Sequence, residues 1–202
     1  MTKSIVLSIK SQHAYNIMTK KKTLELRKRV PKGFKGWVYV YVTKGKPLLY
    51  DGIKTYLGHG DYYEDSWILN GTIPFRFWFD EYDEIDRTDY TRKSLDTGLI
   101  PMIDNKGKKY NYRMIVNVRE DYLYEECLES CLTQDEIKKY GNGDDLYAWH
   151  IKKLEIFDKP KSLNDFICAT QWEKTQDGKE FYVYNLSKAP ATYQYVYLKG
   201  EK

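Results

Sequence analysis

The run Trp37-Val38-Tyr39-Val40-Tyr41-Val42-Thr43 decides the fold class. It alternates strictly, with Val38, Val40 and Val42 on one face and Trp37, Tyr39 and Tyr41 on the other, which is the period-two pattern of a β-strand. Both faces are bulky, so the strand is expected to be covered on both sides, at the centre of a sheet or barrel. Lys44-Gly45-Lys46-Pro47 ends it as a turn.

Downstream, residues 48–70 are rich in Gly, Tyr and Asp and lack periodicity, so they read as an irregular insertion that carries His59 and Trp67. Strand character resumes over 71–79, with Ile73, Phe75, Phe77 and Phe79 pointing inward and Arg76 and Trp78 on the opposite face. Pro74 cannot donate to a ladder and marks this strand as an edge or a bulge. The acidic run Glu81, Asp83, Glu84, Asp86 reads as a solvated strand end. Residues 86–109 form a second irregular insertion closing in a polar turn, followed by a strand over 110–118.

Residues 125–140 are helical in two pieces. Thr133 followed by Glu136 is a capping box, and Leu132 and Ile137 stand where a hydrophobic staple would join them. Gly141-Asn142-Gly143 stops the helix. Residues 146–157 return to strand and carry Tyr147-Ala148-Trp149-His150, Asp177-Gly178 signals a hairpin, and 192–198 forms the last strand. Upstream, residues 4–9 form a first strand, and Ser11 is placed to cap a short helix with an apolar stripe of Ala14, Ile17 and Met18. With no repeat or linker to divide it, the chain reads as one mostly β (α+β) domain over 1–202, a barrel with a few peripheral helices.

The 202 residues are long enough to bury a real core. A formal charge of +4 is only mildly basic, but the bases crowd the amino-terminal segment, and a local basic face attracts phosphate even on a nearly balanced chain. Aromatic residues make up 16% of the chain, with 20 tyrosines among them, enough both for sheet packing and for stacking against bases. Cys127, Cys131 and Cys168 form no disulfide framework, and His150 is the sole histidine downstream of the first pair. Reduced thiols in a cytoplasmic protein are expected, without metal or cofactor. No apolar segment approaches a membrane span, and the amino terminus lacks a signal-peptide core.

The basic segment Met18-Thr-Lys-Lys-Lys-Thr-Leu-Glu-Leu-Arg-Lys-Arg-Val30 carries the candidate site. As a strand it sends Leu24 and Leu26 into a core and gathers Thr23, Glu25 and Arg27 on the second face, with Lys22 at its entrance. A surface ion pair is the plain reading of Glu25 and Arg27. The alternative is a nucleotide cleft. There, Lys22 and Arg27 hold phosphate, Arg27 through a fork of hydrogen bonds, and Glu25 accepts from an exocyclic amine. Tyr41 and Trp67 are the stacking candidates, and Lys44 and His150 complete the ligand-binding set. Trp149 and His150 are consecutive and face opposite ways, so one of them at most points into a cleft.

Taken in order, Lys22-Thr23-Leu24-Glu25-Leu26-Arg27, the strand 37–43 with its Thr43-Lys44-Gly45-Lys46-Pro47 turn, 71–79 with Asp80-Glu81-Tyr82, and Tyr147-Ala148-Trp149-His150-Ile151 through Asp158-Lys159-Pro160-Lys161-Ser162-Leu163 resemble the phage-type members of the ASCH family, a branch of the PUA-like β-barrels. The first segment matches the family's Lys-x-x-Glu-x-Arg signature. The glycine that usually precedes it is absent. The resemblance covers roughly 3–167 and implies a small barrel that binds RNA or a modified nucleotide in a cleft beside the basic strand. Some members remove acetyl from N4-acetylcytidine with a lysine, a threonine and a glutamate. Lys22 falls on the lysine position, but Glu25 occupies the threonine position, so that activity does not carry over. A hydrolase using Glu25 as base and Lys22 to polarise a carbonyl, whether an amidohydrolase or a ribonuclease, is the second reading. A phage-related protein-interaction module is the third.

Overall fold

The structure is a computed structural model that describes residues 2–49, 68–86, 95–103, 109–116, 124–168 and 185–200, with backbone only for 95–103, 109–116 and 124–125. The chain divides into two compact units. The first comprises Met1–Thr23, Pro31–Glu81 and Trp149–Lys202, and the second comprises Leu24–Val30 and Tyr82–Ala148.

The first unit is built on a six-stranded sheet with the order β10-β11-β1-β3-β4-β9. These strands are β1 (Ser4–Ile9), β3 (Gly36–Val42), β4 (Ile73–Phe79), β9 (Lys152–Lys161), β10 (Phe166–Cys168) and β11 (Tyr193–Leu198). The alternating run from Trp37 lies in β3, between β1 and β4, as its two bulky faces require. Val38, Tyr39, Val40 and Val42 are fully buried. β1 pairs with β3 in parallel, Leu7 opposite Val40, and the other four ladders are antiparallel. A parallel pair needs a crossover. The connection from β1 to β3 carries helix α1 (Ser11–Met18) and then the basic segment.

Lys10, not Ser11, stands at the helix N-cap, and no side chain caps it. Ser11 is the first helical residue and is buried beside Ala14 and Ile17, so its hydroxyl is not at the capping position.

Pro74 sits in β4, an interior strand, and the register with β9 shifts between Ile73 and Phe75. The proline is therefore accommodated at a bulge rather than an edge, where a missing N–H leaves no gap in the ladder. Ile73, Phe75, Phe77 and Phe79 are all buried, as their spacing predicts. The strand expected over 146–157 is two strands: β8 (Leu146–His150) and β9 belong to different sheets, with Ile151 between them.

The second unit holds β2 (Leu24–Arg27), β5 (Tyr82–Ile85) and the Leu146–Ala148 part of β8, and the three strands form a sheet in the order β2-β8-β5. Leu24 and Leu26 enter a core with Ile85, Ile137, Leu146 and Ala148. Helices α2 (Tyr124–Ser130) and α3 (Gln134–Gly141) follow. The capping box forms as written in the sequence: the Glu136 amide donates to Thr133 Oγ1 at 3.3 Å, and the Thr133 amide donates to the Glu136 carboxylate at 2.8 Å. Leu132 packs on the cluster that contains Ile137, and Asn142 ends the helix in the left-handed conformation. Within the stretch 86–109, expected to be irregular, residues Leu95–Ile103 form strand β6, which pairs antiparallel with β7 (Lys109–Val116). The chain is thus mostly β with helices. Its described ladders form open sheets, and no closed barrel is seen among the described residues. Among them, too, no helix is long and apolar enough to cross a membrane. The Asp177-Gly178 hairpin lies outside the described residues.

Candidate nucleic-acid interface

The basic segment leaves α1 through a tight turn. Lys20 adopts a positive φ of 59°, and the amides of Lys21 and Lys22 both donate to the Asn16 carbonyl, at 2.9 and 3.0 Å. These two hydrogen bonds to one carbonyl fix the path of the chain at Lys21 and Lys22. Lys22 is only 2% exposed, whereas Lys20 and Lys21 are exposed. Thr23 is exposed, and its carbonyl accepts from the Ile151 amide at 2.9 Å.

On β2, Arg27 Nη2 lies 2.8 Å from Glu25 Oε1, with side chains 15% and 8% exposed. The two residues share a strand face, as their spacing predicts, while Leu24 and Leu26 fill the core on the other. A charged residue is seldom buried so far unless it is paired. The neighbouring cation Lys28 is solvent-facing and pairs with Asp144 at 2.8 Å.

The remaining candidates are spread through the first unit. Tyr41 is buried and its side chain belongs to the core cluster of Val6, Tyr39, Ile73 and Phe166. Lys44 is exposed, with its aliphatic stem over Gly71, where an added Cβ would come within 3.2 Å of it. His150 is half-buried and its amide donates to the Glu81 carbonyl at 3.2 Å. Its neighbour Trp149 is fully buried against Phe79, ring centroids 4.8 Å apart, so Trp149 takes the core face of the strand. Trp67 and His59 lie outside the described residues.

Two features carried no signal in the sequence reading. Asn70 ties down the turn after β3: its side-chain oxygen accepts from the Leu49 amide at 2.7 Å, and its amide nitrogen donates to the carbonyls of Thr43, Gly45 and Pro47. Arg76 stacks 4.0 Å over the Trp37 ring while bonding Tyr39 Oη at 2.8 Å and Glu155 at 2.7 Å. The Arg76–Trp37 pairing follows from β3 and β4 being neighbours, which alternation alone does not reveal.

Among the described residues no group of His, Cys, Asp and Glu is arranged to hold a metal. Burial pushes the thiols of Cys127 and Cys168 above their usual range, away from the reactive thiolate.

No family model matches the sequence, and no curated protein matches it. Among solved structures, the ASCH protein of Zymomonas mobilis is similar to this chain at a TM-score of 0.45 and 14% identity, over 79% of this chain and 73% of that one. A tyrosine-to-phenylalanine variant of that protein gives 0.44 and 14%, over 79% and 76%. A serine-to-alanine variant gives 0.45 and 13%, over 94% of this chain and 85% of the other.

Proposed function

We propose that this chain is an ASCH-type protein of the PUA-like class that binds RNA or a modified nucleotide through the segment Lys22–Arg27. The carrying observation is the depth at which that segment keeps its charges: Lys22 is 2% and Glu25 6% exposed, three residues apart, while the lysines around them are solvated. Desolvating charge is costly, so charges kept at this depth need partners or a ligand. Arg27 supplies the planar donor set that suits phosphate, and Glu25 the acceptor that suits an exocyclic amine. The engagement of Glu25 by Arg27 favours recognition over general-base chemistry, so binding stands ahead of hydrolysis.

The test is RNA binding measured against salt concentration, in the wild-type protein and in a Lys22→Ala, Arg27→Ala double variant. Affinity should fall steeply with salt, and the slope should drop by about two in the double variant. Unchanged binding and slope in a folded double variant would overturn the proposal. A thermal-shift screen of modified nucleosides and short RNAs then identifies the ligand, since a bound ligand stabilises by mass action.

A further inference from the structure

Two Asn-Gly dipeptides occur in the chain, Asn70-Gly71 and Asn142-Gly143, and the fold treats them in opposite ways. In such a pair the glycine nitrogen can approach the carbonyl carbon of the asparagine side chain closely, because glycine has no Cβ in the way. Asn70 is held at both reacting ends. Its side chain makes the four hydrogen bonds that tie down the turn after β3. The Gly71 N–H, whose nitrogen would attack, donates to the Val42 carbonyl at 2.7 Å, and the Lys44 stem lies over Gly71.

Asn142-Gly143 follows α3 and both residues are exposed. Among the described residues, neither the Asn142 side-chain amide nor the Gly143 N–H makes a hydrogen bond. Bringing the Gly143 nitrogen onto the Asn142 side-chain carbonyl carbon requires rotation about the Asn142 Cα–C bond, away from its ψ of 39°. That rotation releases one turn bond, from the Asp144 N–H to the Gly141 carbonyl at 3.0 Å, and the exposed Lys28–Asp144 pair. Both are weak contacts at a helix end, where local opening costs little.

We propose that Asn142 is a site of spontaneous deamidation in the folded protein, whereas Asn70 is protected. The Gly143 main-chain nitrogen gives up its proton to hydroxide and forms a bond to Asn142 Cγ. The bond from Cγ to the side-chain nitrogen breaks, ammonia leaves carrying a proton from water, and a five-membered cyclic imide remains. Water then opens the imide at either carbonyl, giving aspartate or its β-linked isomer. Either product places a carboxylate beside the C-terminus of α3, where the helix dipole disfavours negative charge. The new anion also stands two residues from Asp144, the partner of Lys28 in the basic segment. The β-linked product lengthens the main chain by one methylene at the left-handed cap.

The test incubates the full chain at mildly alkaline pH, folded and in guanidinium chloride, and follows both asparagines by peptide mapping with mass spectrometry. In the folded protein Asn142 should convert more than about tenfold faster than Asn70, with the β-linked isomer among its products, because Asn70 must break several bonds together before it can react. In denaturant the two sites should convert at rates within about threefold of each other, since the dipeptide is the same and the bonds that protect Asn70 are gone. Equal rates at the two sites in the folded protein overturn the proposal. So does a folded protein whose Asn142 stays intact while the unfolded chain converts. A preference for Asn142 that persists undiminished in denaturant also overturns it, because the selectivity then owes nothing to the fold.

Discussion

At the scale of single residues, the Glu25–Arg27 pair is the clearest case of chemistry written in the order of side chains. Alternation put the two leucines on one face and the carboxylate with the guanidinium on the other, and the pair forms at 2.8 Å. Glu25→Ala leaves a mostly buried guanidinium without this partner and should cost about 2 kcal/mol by denaturant titration, reduced from the fully buried case by residual solvent contact. What spacing could not show is how deeply Lys22 is buried, because that depends on what covers it. A second charge group lies at the end of β4, where Lys152 bonds Glu81 at 2.7 Å and Asp80 at 3.0 Å. The Lys152 hydrogen bond holds both carboxyls below their usual 3.8 and 4.5. Groups with depressed folded values contribute stability above their unfolded values and lose it as pH falls through the folded ones. The same bonds raise Lys152 above 10.5, so its share is complete below that pH and fades above it. Lys152→Gln should therefore flatten the acid limb of a stability–pH profile below about pH 4 and leave the neutral region nearly level. An acid limb as steep as in the wild type would refute the assignment.

At the scale of elements, boundaries with local chemistry were legible and those set by pairing were not. The α3 start is local: Thr133, Glu136, Leu132 and Ile137 specify it within six residues, and the structure forms every contact of the box. Thr133→Ala should cost about 1 kcal/mol, with Glu136→Gln milder because an amide still accepts from the Thr133 N–H. The interruption between β8 and β9 is not local. Residues 146–157 alternate as one strand, but Ile151 donates to Thr23 while Lys152 begins a ladder to β4, a division decided by partners far away in sequence. The same distance effect hid the bulge at Lys153, which lies in the β4–β9 register shift between Arg76 and Trp78 at a φ of 45°. Lys153→Gly removes the cost of a side chain at positive φ and should raise stability by roughly 1 kcal/mol, offset in part by a more flexible unfolded chain. β9 ends the described ladder order, and Lys152, Lys153, Lys159, Pro160 and Lys161 stud it, the residues that discourage edge-to-edge association.

At the scale of the whole molecule, the pattern of side chains announced a mostly β chain, but the order of strands rested on one connection that periodicity does not encode. β1 and β3 lie side by side in parallel, so the chain between them must cross over, and α1 and the basic segment are that crossover. Leu24–Val30 and Tyr82–Ala148 form a second compact unit with its own core. The sheet order makes a graded expectation for amide hydrogen exchange. Val6, Val38 and Val40 have flanking strands on both sides and no exposed surface, whereas β10 is a three-residue strand at the end of the order. Amides that exchange only on global opening belong to the first group, and those that exchange by local fraying belong to the second. Exchange at Val6, Val38 and Val40 should therefore be the slowest in the first unit and accelerate with denaturant, while Ile167 and Cys168 exchange earlier and respond weakly. Equal protection of β10 and β3 would contradict the observed strand order, because a strand of three residues, bridged on its outer side only at Ile167 and Asn185, has too few bonds to share the opening free energy of the centre.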